Sequence, residues 1–112
     1  MKNNINYSPE ALKDLDEIWE YISENLYNTK AAESTVNRII NSIDKLEDFA
    51  EIGRRLSEVV NIDLDYRFLV SGSYLVFYRA YNSDVYIDRI LYGKRDYMRI
   101  LFPEATEYEE QE

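Results

Sequence analysis

Apolar residues recur at helical spacing in the first half of the chain. After Ser8-Pro9-Glu10, which has the N-cap, proline and acidic residue typical of a helix start, the apolar side chains fall on one face of a helix spanning about 9–26. They are Leu12, Leu15, Ile18, Trp19, Ile22 and Leu26. A second stripe from Val36 to Ala50 predicts a helix over about 30–50, with Thr29 as its cap. The short connection predicts an antiparallel helical hairpin.

The second half of the chain changes to strand-like runs. Strands are predicted at about 65–70, 74–81 and 85–92, separated by Ser71-Gly72-Ser73 and Asn82-Ser83-Asp84. These turns predict an antiparallel meander, and residues 5–7 could add a short first strand. The fold class is therefore α+β, with a helical hairpin packed on a small antiparallel sheet. One face of the sheet packs the hairpin, and its apolar other face needs a partner, a strand or a loop to cover it.

Length and composition indicate one globular domain. We assign the domain to residues 1–102 and expect residues 103–112, an acidic tail, to be disordered. The formal net charge is −9, with −6 in residues 1–53, +2 in 54–102 and −5 in the tail. Such acidity opposes broad nucleic-acid affinity. The polar N-terminus and the lack of a membrane-spanning run predict a cytoplasmic protein.

The available side chains restrict the chemistry. The chain has no cysteine and no histidine, and no carboxylates with a recognisable ligand spacing, so we predict neither a metal site nor a cofactor. Residues 66–101 contain seven of the eleven tyrosines and five of the eight arginines. These could stack bases and hold phosphates, although tyrosine also simply suits a half-buried strand. Lys94-Arg95 either has a functional role or simply forms a turn. Arg67 either has a functional role or is an exposed arginine of the sheet that only contacts water.

Three stretches of the chain resemble the RelE/ParE toxin superfamily. They are the helix opened by Ser8-Pro9-Glu10-Ala11, the hairpin from Tyr66-Arg67 to Arg79, and the run from Ile87 to Asp96 that contains Gly93-Lys94-Arg95-Asp96. Together they cover about residues 5–101. The resemblance implies a toxin of a type II toxin–antitoxin module, of the kind linked to growth inhibition and plasmid stabilization. It implies an antitoxin that binds and neutralises the chain, with DNA contacted only through that antitoxin.

The superfamily divides into two activities. RelE-like members cut mRNA in the ribosome, and the resemblance then implies that Arg67 and Arg95 hold phosphate and Tyr97 acts as a base. ParE-like members inhibit DNA gyrase by binding it, and target contacts would then fall on Arg89, Lys94, Arg95 and Arg99. Leu69 replaces a basic residue expected in the nucleases. Tyr97 follows Arg95 closely and comes earlier in the sequence than the tyrosine of RelE-like members. These departures and the net charge favour the ParE-like function. A degenerate member that binds only antitoxin is the third alternative.

Overall fold

Two helices pack on one sheet in the computed structural model, which describes residues 2–58 and 65–93. In chain order the elements are β1 Asn4–Tyr7, α1 Pro9–Glu20, α2 Thr29–Asp44, β2 Arg54–Arg55, β3 Arg67–Ser71, β4 Tyr74–Tyr81 and β5 Asp84–Tyr92. A π-helical turn, Tyr21–Asn25, extends α1, and 3₁₀ turns follow α2 at Lys45–Glu47 and β2 at Leu56–Glu58. The predicted α+β class and helical hairpin are confirmed.

Within the described residues the sheet has five strands, in the order β1-β5-β4-β3-β2. The predicted antiparallel meander is present as β3, β4 and β5. The short first strand is also present, but it pairs parallel to β5, so the sheet is mixed. Arg54 and Arg55 form the edge strand β2 against β3.

Side-chain caps explain where the helices begin. The hydroxyl of Ser8 accepts a hydrogen bond from the Ala11 N–H at 2.9 Å, as the sequence predicted for α1. The predicted cap of α2 was wrong by one residue, because Asn28 Oδ1 accepts from the Ala31 N–H at 2.9 Å and Thr29 is the first helical residue. Asn is at least as good an N-cap as Thr, so the local sequence is compatible with either residue as the N-cap of α2.

The core of the molecule lies between the helices and one face of the sheet. Its fully buried residues include Ala32, Ile39, Ile43, Val76, Tyr78, Val85 and Ile87. The predicted α1 stripe is only partly correct. Leu15, Ile18 and Ile22 are buried together with Ala11, whereas Leu12, Trp19 and Leu26 are 51%, 40% and 55% exposed. The buried face of α1 is therefore centred on Ala11, Leu15, Ile18 and Ile22, and the other three apolar residues lie at its exposed margin.

The opposite face of the sheet has a smaller apolar cluster. Leu56, Phe77 and Leu91 are at most 2% exposed there, with Tyr66, Phe68 and Leu75 packed around them. Leu56 comes from the 3₁₀ turn after β2, so a loop contributes to covering this face. That outcome matches one of the three coverings predicted from the sequence.

A β-bulge interrupts β5. Phe77 lies opposite Arg89, while the next residue of β4, Tyr78, lies opposite Ile87, which leaves Asp88 as the extra residue. Strict alternation would have placed Leu91 on the face of Val85 and Ile87. Instead Ile90 joins that face and Leu91 joins the opposite cluster, so the bulge reverses the faces of the residues that follow it.

Candidate functional site

Arg67, a predicted phosphate-binding residue, is bonded to the chain segment just before β2. Its Nη1 donates to the carbonyl oxygens of Gly53 at 2.9 Å and Glu51 at 3.2 Å. The Tyr78 hydroxyl fixes the same segment, donating to the Ala50 carbonyl at 2.8 Å and accepting from the Gly53 N–H at 2.9 Å. Burial raises the pKa of the Tyr78 phenol above its ordinary value, and the Gly53 bond and the charge of Arg67 oppose that rise.

Arg89, a predicted target contact, forms an ion pair with α1. Its Nε donates to Asp14 Oδ2 at 2.8 Å and its Nη2 to Asp14 Oδ1 at 2.9 Å. The Asp14 side chain is 7% exposed and that of Arg89 is 28% exposed. The hydrogen bond to Asp14 raises the pKa of Arg89 above its ordinary value. A target contact by Arg89 stays a prediction, since its guanidinium already has an intramolecular role.

The other predicted site residues, Lys94, Arg95, Tyr97 and Arg99, lie outside the described residues, as does the acidic tail. The two placed residues, Arg67 and Arg89, are not brought together by the fold, because each bonds a different part of the chain. Asp14 was not among the site residues predicted from the sequence. Its position three residues after Ala11 and four before Ile18 would have placed it on the buried face.

An arginine–tyrosine cleft of about 540 Å³ opens at one end of the sheet. Its lining includes Arg55, Arg67, Arg79, Tyr66, Tyr81 and Tyr86, together with the acids Glu51 and Asp65. Arg79 donates to Asp88 Oδ2 at 3.0 Å and lies 5.4 Å from the centre of the Tyr66 ring. The cleft therefore mixes both signs of charge, and part of its positive charge is paired within the chain.

A second concavity, the α1–β5 groove, lies between the helices and the far end of the sheet, with a volume of about 780 Å³. Its lining is Asp14, Glu17, Ile18, Tyr21, Ile22, Leu26, Ala31, Thr35, Ser73, Tyr74, Ile90, Leu91 and Tyr92. Tyr74 and Tyr92 meet edge to face with ring centres 5.6 Å apart. Burial, followed by the neighbouring phenols of Tyr92 and Tyr21, raises the pKa of Tyr74. Three tyrosines thus converge on a groove whose other lining residues are aliphatic or polar, with Asp14 and Glu17 among the polar ones.

Within residues 2–58 and 65–93, no three His, Cys, Asp or Glu side chains are grouped so that they could hold a metal ion. No helix among those residues is long and apolar enough to cross a bilayer.

Two helices packed on a mixed sheet define a small α+β protein. Residues 5–97 match the family model described as "ParE toxin of type II toxin-antitoxin system, parDE", and the chain belongs to this family of ParE toxins. Membership implies an antitoxin partner.

A solved structure agrees with this assignment at the level of the fold. It is the "Chromosomal ParDE TA system from P. aeruginosa", to which the chain is similar with a TM-score of 0.68 and 19% sequence identity. The match covers 81% of this chain and 96% of the other. No curated protein sequence matches the chain.

Proposed function

We propose that this ParE-family toxin arrests growth by binding a protein target, DNA gyrase, and not by cutting RNA. The antitoxin neutralises it, and contact with DNA occurs only through the antitoxin. Because gyrase acts on chromosomal DNA, the proposal places the toxin in the cytoplasm. The target contacts are assigned to Arg89, Lys94, Arg95 and Arg99.

The observation that carries this proposal is the position of Arg67. Cleavage of a phosphodiester needs several preorganised cations directed at one phosphate. In the described part of the chain, Arg67 donates through one nitrogen to Gly53 and Glu51, and Arg89 is paired with Asp14. These two side chains are therefore directed at separate intramolecular acceptors, which supports protein binding over nuclease chemistry.

Two assays on the same toxin test the proposal. Purified gyrase is given relaxed plasmid with and without the toxin, and transcript 5′ ends are mapped in cells soon after the toxin is induced without antitoxin. We expect a loss of supercoiling with intact transcripts. New 5′ ends at codon-phased positions would instead identify a ribosome-dependent nuclease, and continued growth with normal supercoiling would identify a member that only binds antitoxin.

Variants near the predicted target contacts help to distinguish a gyrase-binding inhibitor from a nuclease. Arg95→Ala should weaken gyrase inhibition, and full activity of that variant would remove Arg95 from the contact. Tyr97→Phe keeps the ring and removes the phenol, so it should leave a binding inhibitor mostly active but abolish a nuclease that uses the phenol as a base. Tyr27→Phe, at a residue that is 91% exposed and follows the π-helical turn Tyr21–Asn25, is the matched control.

A further inference from the structure

We propose that the arginine–tyrosine cleft binds a free nucleotide, with the base stacked on exposed tyrosine rings and the phosphate held by arginines. The cleft lies where β4 ends, at Tyr81. The Gly93 N–H donates to the Ser73 carbonyl at the other end of this strand. Because β4 has 8 residues, the two ends are about 23 Å apart. The cleft is thus a separate surface from the one at Gly93, and neither gyrase nor the antitoxin is needed for this binding.

Two arginines of the cleft face each other across a pair of strands. Arg55 of β2 lies directly opposite Arg67 of β3. Like charges in directly opposite positions of a sheet are destabilising. Among the residues that the structure describes, the Arg55 side chain has neither an ion pair nor a hydrogen bond that would offset this repulsion. An anion bound between the two guanidinium groups would offset it.

Guanidinium donors remain on the other arginines of the cleft. Arg67 uses Nη1 for the carbonyls of Gly53 and Glu51, and Arg79 uses Nε for the Asp88 carboxylate. The remaining N–H groups of Arg67 and Arg79 have no hydrogen-bond acceptor in the described part of the chain. Arginine presents its N–H groups in a planar fork that matches the oxygens of a phosphate. The cleft therefore offers donors from several arginines to a phosphate.

The tyrosines of the cleft supply a surface on which a base can stack. Tyr81 and Tyr86 are 71% and 39% exposed. Tyr86 lies opposite Arg79 and Tyr81 follows it by two residues, so the three side chains share one face of the sheet. The Arg79 guanidinium also lies 5.4 Å from the centre of the Tyr66 ring. Aromatic rings beside arginine are the combination that stacks bases and holds phosphates.

Size and charge favour one nucleotide over a nucleic-acid strand. The cleft volume of about 540 Å³ is within the usual range of small-molecule sites. A strand needs several phosphate contacts along its path, and the net charge of −9 opposes them. The two carboxylates of the cleft, Glu51 and Asp65, repel a second phosphate but can accept hydrogen bonds from ribose hydroxyls. These features together fit a single nucleotide.

Binding is tested with the full chain alone and with AMP, GMP, CMP and UMP as probes. Isothermal titration calorimetry measures the affinity, and NMR amide shifts locate the site. We expect one or more of these nucleotides to bind with a Kd of about 1 mM or lower, and about tenfold more tightly than the matching nucleoside or inorganic phosphate. The amide shifts should be greatest around Tyr66, Arg79 and Tyr86. Weaker binding of every probe, or shifts located away from the cleft, would overturn the proposal.

Two variants with matched controls assign the contacts. Arg55→Gln removes a charge and Tyr81→Leu removes a ring, and each should weaken nucleotide binding by about fivefold or more. Arg54→Gln changes the neighbouring arginine, which pairs with Glu58 and does not line the cleft, and Tyr27→Leu changes a tyrosine that is 91% exposed elsewhere. Both controls should stay within about twofold of the parent. All of these side chains are exposed, so unfolding is not expected, and circular dichroism checks it. Parent-like binding by both cleft variants would overturn the proposal.

A single-stranded oligonucleotide of about ten residues separates a free nucleotide from a nucleotide unit of a strand. We expect its affinity to lie within about tenfold of that of the best mononucleotide, because the cleft holds one unit. Much tighter binding that falls steeply with salt concentration would identify a site for a strand. That result would overturn the choice of a free nucleotide as the ligand.

Discussion

Asp14 and Arg89 connect α1 to β5 through a two-point ion pair, and the same carboxylate accepts the Ile90 N–H. Three hydrogen bonds therefore converge on one buried side chain. They form where β1 has ended and where the bulge at Asp88 has shifted the register of β5. The pair thus stabilises the half of β5 that β1 does not reach, and it holds α1 beside that half.

Removing one member of this pair should be costly. Arg89→Ala leaves the Asp14 carboxylate buried without its cation, and we expect the free energy of unfolding to fall by about 2–4 kcal/mol, below the full cost of a buried pair because Arg89 is partly exposed. Urea denaturation measures the change. The double variant Asp14→Ala/Arg89→Ala should lose less than the two single variants together, because the partners are coupled.

An exposed ion pair in the same protein is the control. Arg54 Nε lies 4.0 Å from Glu58 Oε2, and both side chains are more than half exposed. Arg54→Ala should change the free energy of unfolding by about 0.5 kcal/mol or less. Equal effects of Arg89→Ala and Arg54→Ala would show that the Asp14 pair does not fasten α1 to the sheet.

Local patterns were sufficient for most of the fold. Helical spacing placed both helices, Ser8 marked the start of α1, and the turns containing Gly72 and Asn82 marked the ends of the meander strands. These features depend on residues that are close together in the sequence, so they can be recognised from the sequence alone. The direction of β1 depends on β5, about 80 residues later. Alternation over four residues could not decide between parallel and antiparallel pairing.

The candidate site was also less predictable from the sequence, because its contacts join residues that are far apart in the chain. Arg89 was read as a target contact because its partner, Asp14, is 75 residues away in sequence. The bulge at Asp88 also leaves no signal in the alternation of apolar residues, so the faces of the residues beyond it cannot be assigned from the sequence. The role of Arg67 in holding phosphate stays a prediction, and its carbonyl acceptors at Gly53 and Glu51 belong to a loop that no periodicity describes.

The Tyr78 hydroxyl should contribute measurably to stability. It is both donor and acceptor, to Ala50 and from Gly53, within a residue that is fully buried. Tyr78→Phe leaves these two backbone groups without their partner, and we expect a loss of about 1–3 kcal/mol in the free energy of unfolding. Urea denaturation tests this, with Tyr81→Phe, at a side chain 71% exposed, as the control that should change little.

Alkaline pH should destabilise the protein through the same phenol. Burial raises the pKa of Tyr78 above its ordinary 10.0, so in the folded state the phenol stays protonated at a pH where the unfolded chain has begun to ionise. The unfolded state then binds fewer protons, and the free energy of unfolding falls as pH rises. This contribution is fully present below about pH 10 and is lost as pH rises through the folded pKa.

The pH effect can be isolated by difference. Burial also raises the pKa of Tyr7, Tyr66 and Tyr74, so the parent protein should lose stability through several groups. The contribution of Tyr78 is the difference between the parent and Tyr78→Phe, measured by urea denaturation from about pH 8 to about pH 11. That difference should shrink as pH rises, and a difference independent of pH would contradict the assignment.

The turn between β3 and β4 gives a prediction about backbone conformation. Gly72 has φ +59°, and a Cβ built there would make only an ordinary contact with Arg38, so conformation and not crowding sets the cost of substitution. Gly72→Ala should lower the free energy of unfolding by about 1 kcal/mol, because alanine disfavours the left-handed region. Asparagine tolerates that region, and Asn82 adopts it, with φ 57°, in the next turn. Gly72→Asn should therefore cost clearly less than Gly72→Ala in thermal or urea unfolding, and equal losses would mean that Gly72 is needed for contact and not for its φ.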